Sequence, residues 1–133
     1  MQLLRYNLLA MSNVDHPNIL KIASWAIESQ IAFILTEYLP YGDYIERAVF
    51  SKSVTEKTVA NVVKQILSAI QYAAEKGIYH YDLKPENILV SNHSDNHVLI
   101  IDFGLNKFIG PEEYINIKLG EERHGNSVSI SSY

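Results

Sequence analysis

The sequence has no cysteine, so it can form neither disulfides nor thiolate metal sites. It has no long apolar run, and its longest ones are too short to cross a bilayer. The N-terminal stretch Met1 to Ala10 carries one arginine and a few leucines. It lacks the apolar core and small-residue cleavage site of a signal peptide. Basic residues are scarce: 11 Lys and Arg stand against 15 Asp and Glu, a formal net charge of −4. A nucleic-acid partner needs a basic face, and a membrane surface needs a run of basic charge. Neither partner is expected, and a cytoplasmic location fits these absences. What remains is an ordinary globular composition, 47% hydrophobic and 20% charged, in 133 residues. That is enough for one domain.

Hydrophobic periodicity orders the elements. Leu4, Leu8 and Met11 recur at helical spacing, which predicts a helix over Gln2–Ser12. Pro17 forces His16 out of helical geometry and ends it. Ile19–Trp25 reads as a strand, Ala26–Gln30 as a hairpin turn and Ile31–Thr36 as a second, buried strand. Pro40 and Gly42 mark a connector, and a short helix follows over Asp43–Phe50. The clearest helix is Thr55–Lys76. Ser53 with Glu56 makes a capping-box pattern. Val59, Val62, Ile66, Ile70 and Ala73 line one face, and Gly77 supplies a left-handed stop. Beyond it, Ile78–Asn87 is a polar loop, and Ile88–Val90 and Val98–Ile101 are two short strands around a turn. The pattern fades after Gly104.

The stretch that carries chemistry is Tyr79-His80-Tyr81-Asp82-Leu83-Lys84-Pro85-Glu86-Asn87, with Asp102-Phe103-Gly104 following twenty positions after Asp82. Phosphoryl transfer asks little covalent chemistry of a protein. It needs metal ions on the phosphates, a positive group near the moving phosphoryl and a carboxylate to orient the attacking hydroxyl. Asp82 offers the carboxylate and Lys84 the cation. Asn87 and Asp102 offer the hard oxygen ligands that Mg²⁺ prefers.

These two segments resemble the catalytic loop H-R-D-L-x-x-x-N and the D-F-G triplet of protein kinases. The wording Asp82-Leu83-Lys84-Pro85-Glu86-Asn87 is similar to the serine/threonine branch. The resemblance implies an α+β, partial protein-kinase-like fold: the end of the small lobe, the hinge and the first part of the helical large lobe. It implies that Asp82 is the catalytic base, that Lys84 contacts the γ-phosphate, and that Asn87 and Asp102 hold magnesium. His16-Pro17-Asn18-Ile19 resembles the segment after the regulatory helix, and Ile34–Leu39 the strand that enters the hinge. Thr36 then stands at the gatekeeper position. The backbone of Glu37 and Leu39 would meet adenine, Asp43 the ribose and Leu89 the adenine floor, with Glu86 also among the nucleotide-contacting positions. ATP and Mg²⁺ are the implied cofactors, and a protein with a Ser or Thr hydroxyl is the implied substrate. Within the family, the wording around Asp102 and Lys118-Leu119-Gly120 looks most like the calcium/calmodulin-dependent and calcium-dependent group.

Three departures from the family pattern bear on activity. The Gly-rich loop and the strand lysine would lie before Met1. The carboxylate that partners this lysine should fall near Asn7. Tyr81 replaces the arginine that pairs with a phosphorylated activation loop, so switching through this residue is not expected. The organisation expected is a partial kinase domain over 1–120 and a disordered tail over 121–133. Two readings stay open: a serine/threonine kinase, or a catalytically inactive, kinase-derived binding or regulatory module. Other polar groups have plainer readings. His80 packs and hydrogen-bonds under the loop, while His93, Asp95 and His97 belong to a solvated turn. The nine tyrosines are core and rim aromatics.

Overall fold

A computed structural model describes residues 2–29, 31–51, 54–91, 97–103 and 105. The chain begins with helix α1 (Gln2–Ser12) and the antiparallel hairpin β1 (Ile22–Glu28) and β2 (Ile31–Thr36). Helices α2 (Tyr44–Ser51) and α3 (Glu56–Glu75) follow. A single 3₁₀ turn, Pro85–Asn87, leads into the second antiparallel pair, β3 (Ile88–Val90) and β4 (Val98–Ile100). Among the described residues no helix is long and apolar enough to cross a membrane. The tail over 121–133 and Gly104 lie outside the described residues.

The helical expectations hold where one face is buried. Leu4, Leu8 and Met11 of α1 all enter the main core, together with Val14, Ile19, Ile22, Ala69, Ala73, Ile100 and Phe103. A second cluster joins Tyr44, Val62, Val90 and Val98 beneath α2. Three details differ from the sequence reading. Strand β1 begins at Ile22 and ends at Glu28, because Ile19 bridges Ile100 of β4 instead of joining the hairpin. The hairpin turn therefore closes at Ser29, whose φ is 55°. On α3, Val59 stays exposed while Val62, Ala69 and Ala73 are buried.

The third difference is the cap of α3. Ser53 lies outside the described residues. The N-cap is Thr55, with extended backbone at φ −114° and ψ 160°. Its hydroxyl accepts from the Thr58 N–H at 3.2 Å, and its own N–H donates to the Thr58 hydroxyl at 2.8 Å. Both bonds satisfy donors that the first helical turn leaves unpaired. Thr55→Ala is expected to cost about 1 kcal/mol. Thermal unfolding checks this, and an unchanged midpoint would show that water replaces the cap. At the other end Gly77 adopts φ 70°, and the Gly77 and Ile78 N–H groups donate to the Ala74 and Ala73 carbonyls. This is the left-handed stop expected there.

The segment between α1 and β1 is the joint of the fold. Asn18 is buried, and its amide donates to Gln65 Oε1 at 2.7 Å and to the Val98 carbonyl at 2.9 Å. Gln65 Oε1 also accepts from the Val98 N–H at 3.1 Å. The backbone completes the seam: Ile100 N–H donates to the Asn18 carbonyl at 2.9 Å, and Leu20 N–H to the Ile100 carbonyl at 3.0 Å. The first hairpin is thereby tied to α3 and β4, and this seam sets where Thr36 stands relative to Asp102.

Candidate active site

Asp82, Lys84 and Asn87 stand on one short loop, and Asp102 follows the end of β4. The loop is shaped by His80, whose ring uses both nitrogens. Nε2 donates to the Ile101 carbonyl at 2.8 Å, and Nδ1 accepts from the Asp82 N–H at 3.4 Å. Only the neutral ring with its proton on Nε2 makes both bonds. Burial lowers the His80 pKa below the ordinary 6.5; the Ile101 bond and the Asp82 charge oppose this but do not outweigh it. Phe103 meets the ring edge-on, with centroids 4.7 Å apart. The expected packing role of His80 is therefore the one its geometry shows.

Around this anchor the backbone turns sharply. Tyr81 has φ 67° and Asp102 φ 61°, both in the left-handed region. Such a conformation costs a non-glycine residue roughly 1–2 kcal/mol, so neighbouring bonds must hold it. Asn87 is buried and donates from Nδ2 to the Asp82 carbonyl at 2.9 Å. The Asn87 N–H donates to the Lys84 carbonyl, and the Ile101 N–H to the Asn87 carbonyl, each at 3.0 Å. This last bond brings the residue before Asp102 against Asn87. Lys84 Nζ forms a charge-assisted bond with Asp82 Oδ2, on side chains that are both partly exposed. The loop thus holds a carboxylate, an ammonium and an amide together, and the backbone bond from Ile101 brings the chain that enters Asp102 against it.

Of the other expected residues, only Thr36 is among those lining the cavity beside Asp102. Thr36 lines an apolar cavity of about 40 Å³ with Met11, Ile22, Ile100, Asp102 and Phe103. Its hydroxyl donates to the Glu37 carbonyl at 3.2 Å. Glu37 and Leu39 follow β2, Glu37 exposed and Leu39 half-buried. Asp43 and Leu89 form an isolated antiparallel bridge, which seats the start of α2 on β3. Asp43 Oδ1 accepts from the Glu46 N–H at 2.7 Å, so one of its oxygens caps α2. Glu86 is exposed within the 3₁₀ turn. Gln65, which orders the seam behind this cleft, carried no signal in the hydrophobic pattern.

Magnesium chemistry can be tested against the donors present. Magnesium is commonly held by one or two protein oxygens, with phosphate and water completing the shell. The described residues contain no group of three or more His, Asp or Glu able to hold a metal. Asn87 and Asp102 supply an amide and a carboxylate. The Nδ2 bond to Asp82 orients the Asn87 amide. This sparse hard-oxygen pair fits an ion that arrives with phosphate.

The protein kinase domain model matches residues 3–123. The chain belongs to the protein kinase family. A probable myosin light chain kinase of Dictyostelium discoideum is 36% identical over 110 residues, which cover 83% of this chain and 35% of that protein. Calcium-dependent protein kinase 5 of Plasmodium falciparum is 37% identical over 102 residues, covering 76% of this chain and 18% of its own. Calcium/calmodulin-dependent protein kinase type 1 of Caenorhabditis elegans is 34% identical over 98 residues, 73% of this chain and 28% of the relative. Among solved structures, Rad53 1–466 in complex with AMP-PNP superposes with a TM-score of 0.72 at 29% identity. It covers 87% of this chain and 33% of that one. The chain therefore spans about a third or less of the length of these relatives. Its fold is a partial kinase fold, and its relatives include serine/threonine kinases of the calcium-linked groups.

Proposed function

We propose that this chain is part of a serine/threonine protein kinase that moves the γ-phosphoryl of Mg-ATP to a hydroxyl of a protein. The observation that carries the reading is the loop itself: Asp82 is held through its carboxylate by Lys84 and through its carbonyl by buried Asn87. Asp82 orients the attacking hydroxyl and accepts its proton. Lys84, already paired with that carboxylate, meets the γ-phosphate as charge moves onto it. Asn87 and Asp102 hold magnesium, which neutralises phosphate charge when bound. Thr36, Glu37 and Leu39 border adenine, Asp43 the ribose, and Leu89 the base from below, with Glu86 at the exposed edge. Tyr81 carries no positive charge, so it reads no phosphate on an activation loop. The substrate is a protein rather than a nucleic acid or a lipid surface, and the setting is cytoplasmic.

A second reading is a regulatory module that binds nucleotide without transferring it. It is favoured by α1, which carries no carboxylate at any position from Gln2 to Ser12. A kinase's strand lysine needs a glutamate partner on that helix. Thermal-shift titration separates the cases. Mg-ATP at a hundred times its Kd is expected to stabilise the chain by about 2.7 kcal/mol. Asp102→Asn should remove the magnesium dependence of this shift. No shift at millimolar nucleotide would sink both readings. Binding with phosphotransfer that disappears in Asp82→Ala supports the first, and binding without transfer supports the second.

A further inference from the structure

His16 sits in the joint between the first hairpin and α3, outside the proposed active site. Its ring Nδ1 accepts from the Asn18 N–H at 3.1 Å, and Nε2 lies 3.1 Å from the Ser68 hydroxyl on α3. The ring also faces Tyr72 of α3, with centroids 5.1 Å apart. The Asp15 N–H donates to the Tyr72 hydroxyl at 3.1 Å. Asn18 in turn holds Gln65 and Val98, and its carbonyl receives the Ile100 N–H. One imidazole therefore links the loop backbone to α3, and the same loop carries the seam to β4.

We propose that His16 is an acid-sensitive clasp, holding this joint closed only while its ring is neutral. The reason is the hydrogen-bond inventory. A neutral ring with its proton on Nε2 offers a lone pair at Nδ1 to Asn18. An imidazolium carries a proton on both nitrogens. Protonation would set the Nδ1–H against the Asn18 N–H, donor against donor. Neither would find an acceptor there, and the loop must then swing away from α3.

The charges around His16 do not counter this. On its own loop, Asp15 and Lys21 pair with each other at 3.6 Å, both largely exposed. On α3, the Tyr72 hydroxyl already accepts from the Asp15 N–H, while Lys76 lies over the Tyr72 ring at 5.0 Å. On β4, Val98, Leu99 and Ile100 are apolar, and His97 before them is bonded to Ser91. At the end of α1, Ser12 and Asn13 are neutral and bond to the Leu8 and Leu9 carbonyls. Burial lowers the His16 pKa below 6.5. A group whose folded pKa is lowered contributes stability above the unfolded pKa and loses it as the pH falls below that value. The clasp is thus closed above about pH 6.5 and opens on acidification.

The consequence reaches the cleft. Leu20, Ile22, Ile100 and Ile101 line the same cavity as Thr36 and Asp102. Opening the joint at Asn18 and Leu20 would alter the separation of those two residues.

Amide hydrogen exchange on the 133-residue chain tests this. The probes are the Asn18, Leu20 and Ile100 amides, with rates corrected for intrinsic exchange. In the wild type their protection should fall severalfold as the pH drops from about 7.5 to 5. His16→Asn keeps an acceptor oxygen near the Nδ1 position but cannot titrate. In that variant the pH-dependent loss should shrink to the part that His80 contributes to both proteins. Equal pH dependence in the two would overturn the proposal. So would a direct nitrogen-shift titration of wild-type His16 that shows a proton on Nδ1 at neutral pH, or titration at or above 6.5.

Discussion

Ile100→Ala is expected to cost about 2–5 kcal/mol of folding stability, towards the upper end of that range. Ile100 is fully buried at the end of β4 and belongs to the core cluster with Leu8, Ile19, Ile22 and Phe103. Its backbone is fixed from two sides. It pairs with Ile88 in the β3–β4 ladder, and it bridges Ile19 in the joint. A strand held this way cannot move in to fill the space left by the lost side chain. The site also borders an existing cavity of about 40 Å³, so truncation enlarges a void instead of opening a new one. Larger residual cavities carry larger penalties. Urea denaturation should show a lower midpoint with an unchanged slope. A loss below about 1 kcal/mol would mean that neighbouring side chains collapse into the gap, contrary to this account.

Asn18→Leu should cost about 2–3 kcal/mol, because the shape is kept while both donors are lost. Gln65 Oε1 retains the Val98 N–H, so it remains satisfied. The Val98 carbonyl loses the Asn18 amide, and it lies at a residue with no exposed surface. Leaving a buried acceptor without a partner costs more than the net value of the bond. Asn18→Leu combined with Gln65→Leu should destabilise by less than the sum of the two single changes, since both act on one network. Strict additivity in equilibrium unfolding would show that Asn18 acts alone.

Much of the architecture was legible from apolar spacing. The α1 face of Leu4, Leu8 and Met11, the extent of β2 and the Gly77 stop were all readable, because each follows from one periodicity or one backbone requirement. The start of β1 was not. Ile19 and Leu20 are apolar and extended like the residues after them, yet their partner is β4, some eighty positions away. Local pattern cannot say which strand an extended residue will meet. The cap of α3 was misread for a related reason. Ser53 and Thr55 both precede a helical run, and Thr58 serves as the reciprocal partner as well as Glu56 would have. Val59 fell on the expected face, but the helix packs through Val62, Ala69 and Ala73 and leaves that edge uncovered.

The site divides in the same way. The catalytic loop was readable because its residue types are dictated by phosphate chemistry and stand close together in sequence. The polar seam of Asn18, Gln65, His16 and Ser68 was not. Its members are scattered, neutral and, on α3, embedded in a helix whose apolar positions draw attention. What reveals them is burial together with distances across the fold, neither of which spacing contains.

The seam has a consequence for how the chain comes to be folded. The partners of Asn18 at Val98 and Ile100 are made some eighty residues after it. During synthesis α3 can meet the first helix and the joint through Ala69, Ala73, Gln65 and Ser68, but the seam stays incomplete until β4 has emerged. The entropy of closing that loop is spent before any of its bonds are returned. Local structure such as α3 and the β1–β2 hairpin can form early, but the cleft exists only after β4 is threaded beside Asn18. A ribosome-bound intermediate shorter than β4 would therefore carry α1 and its hairpin tied to α3 alone, with the place of β4 beside Asn18 left open to the cell's holding chaperones.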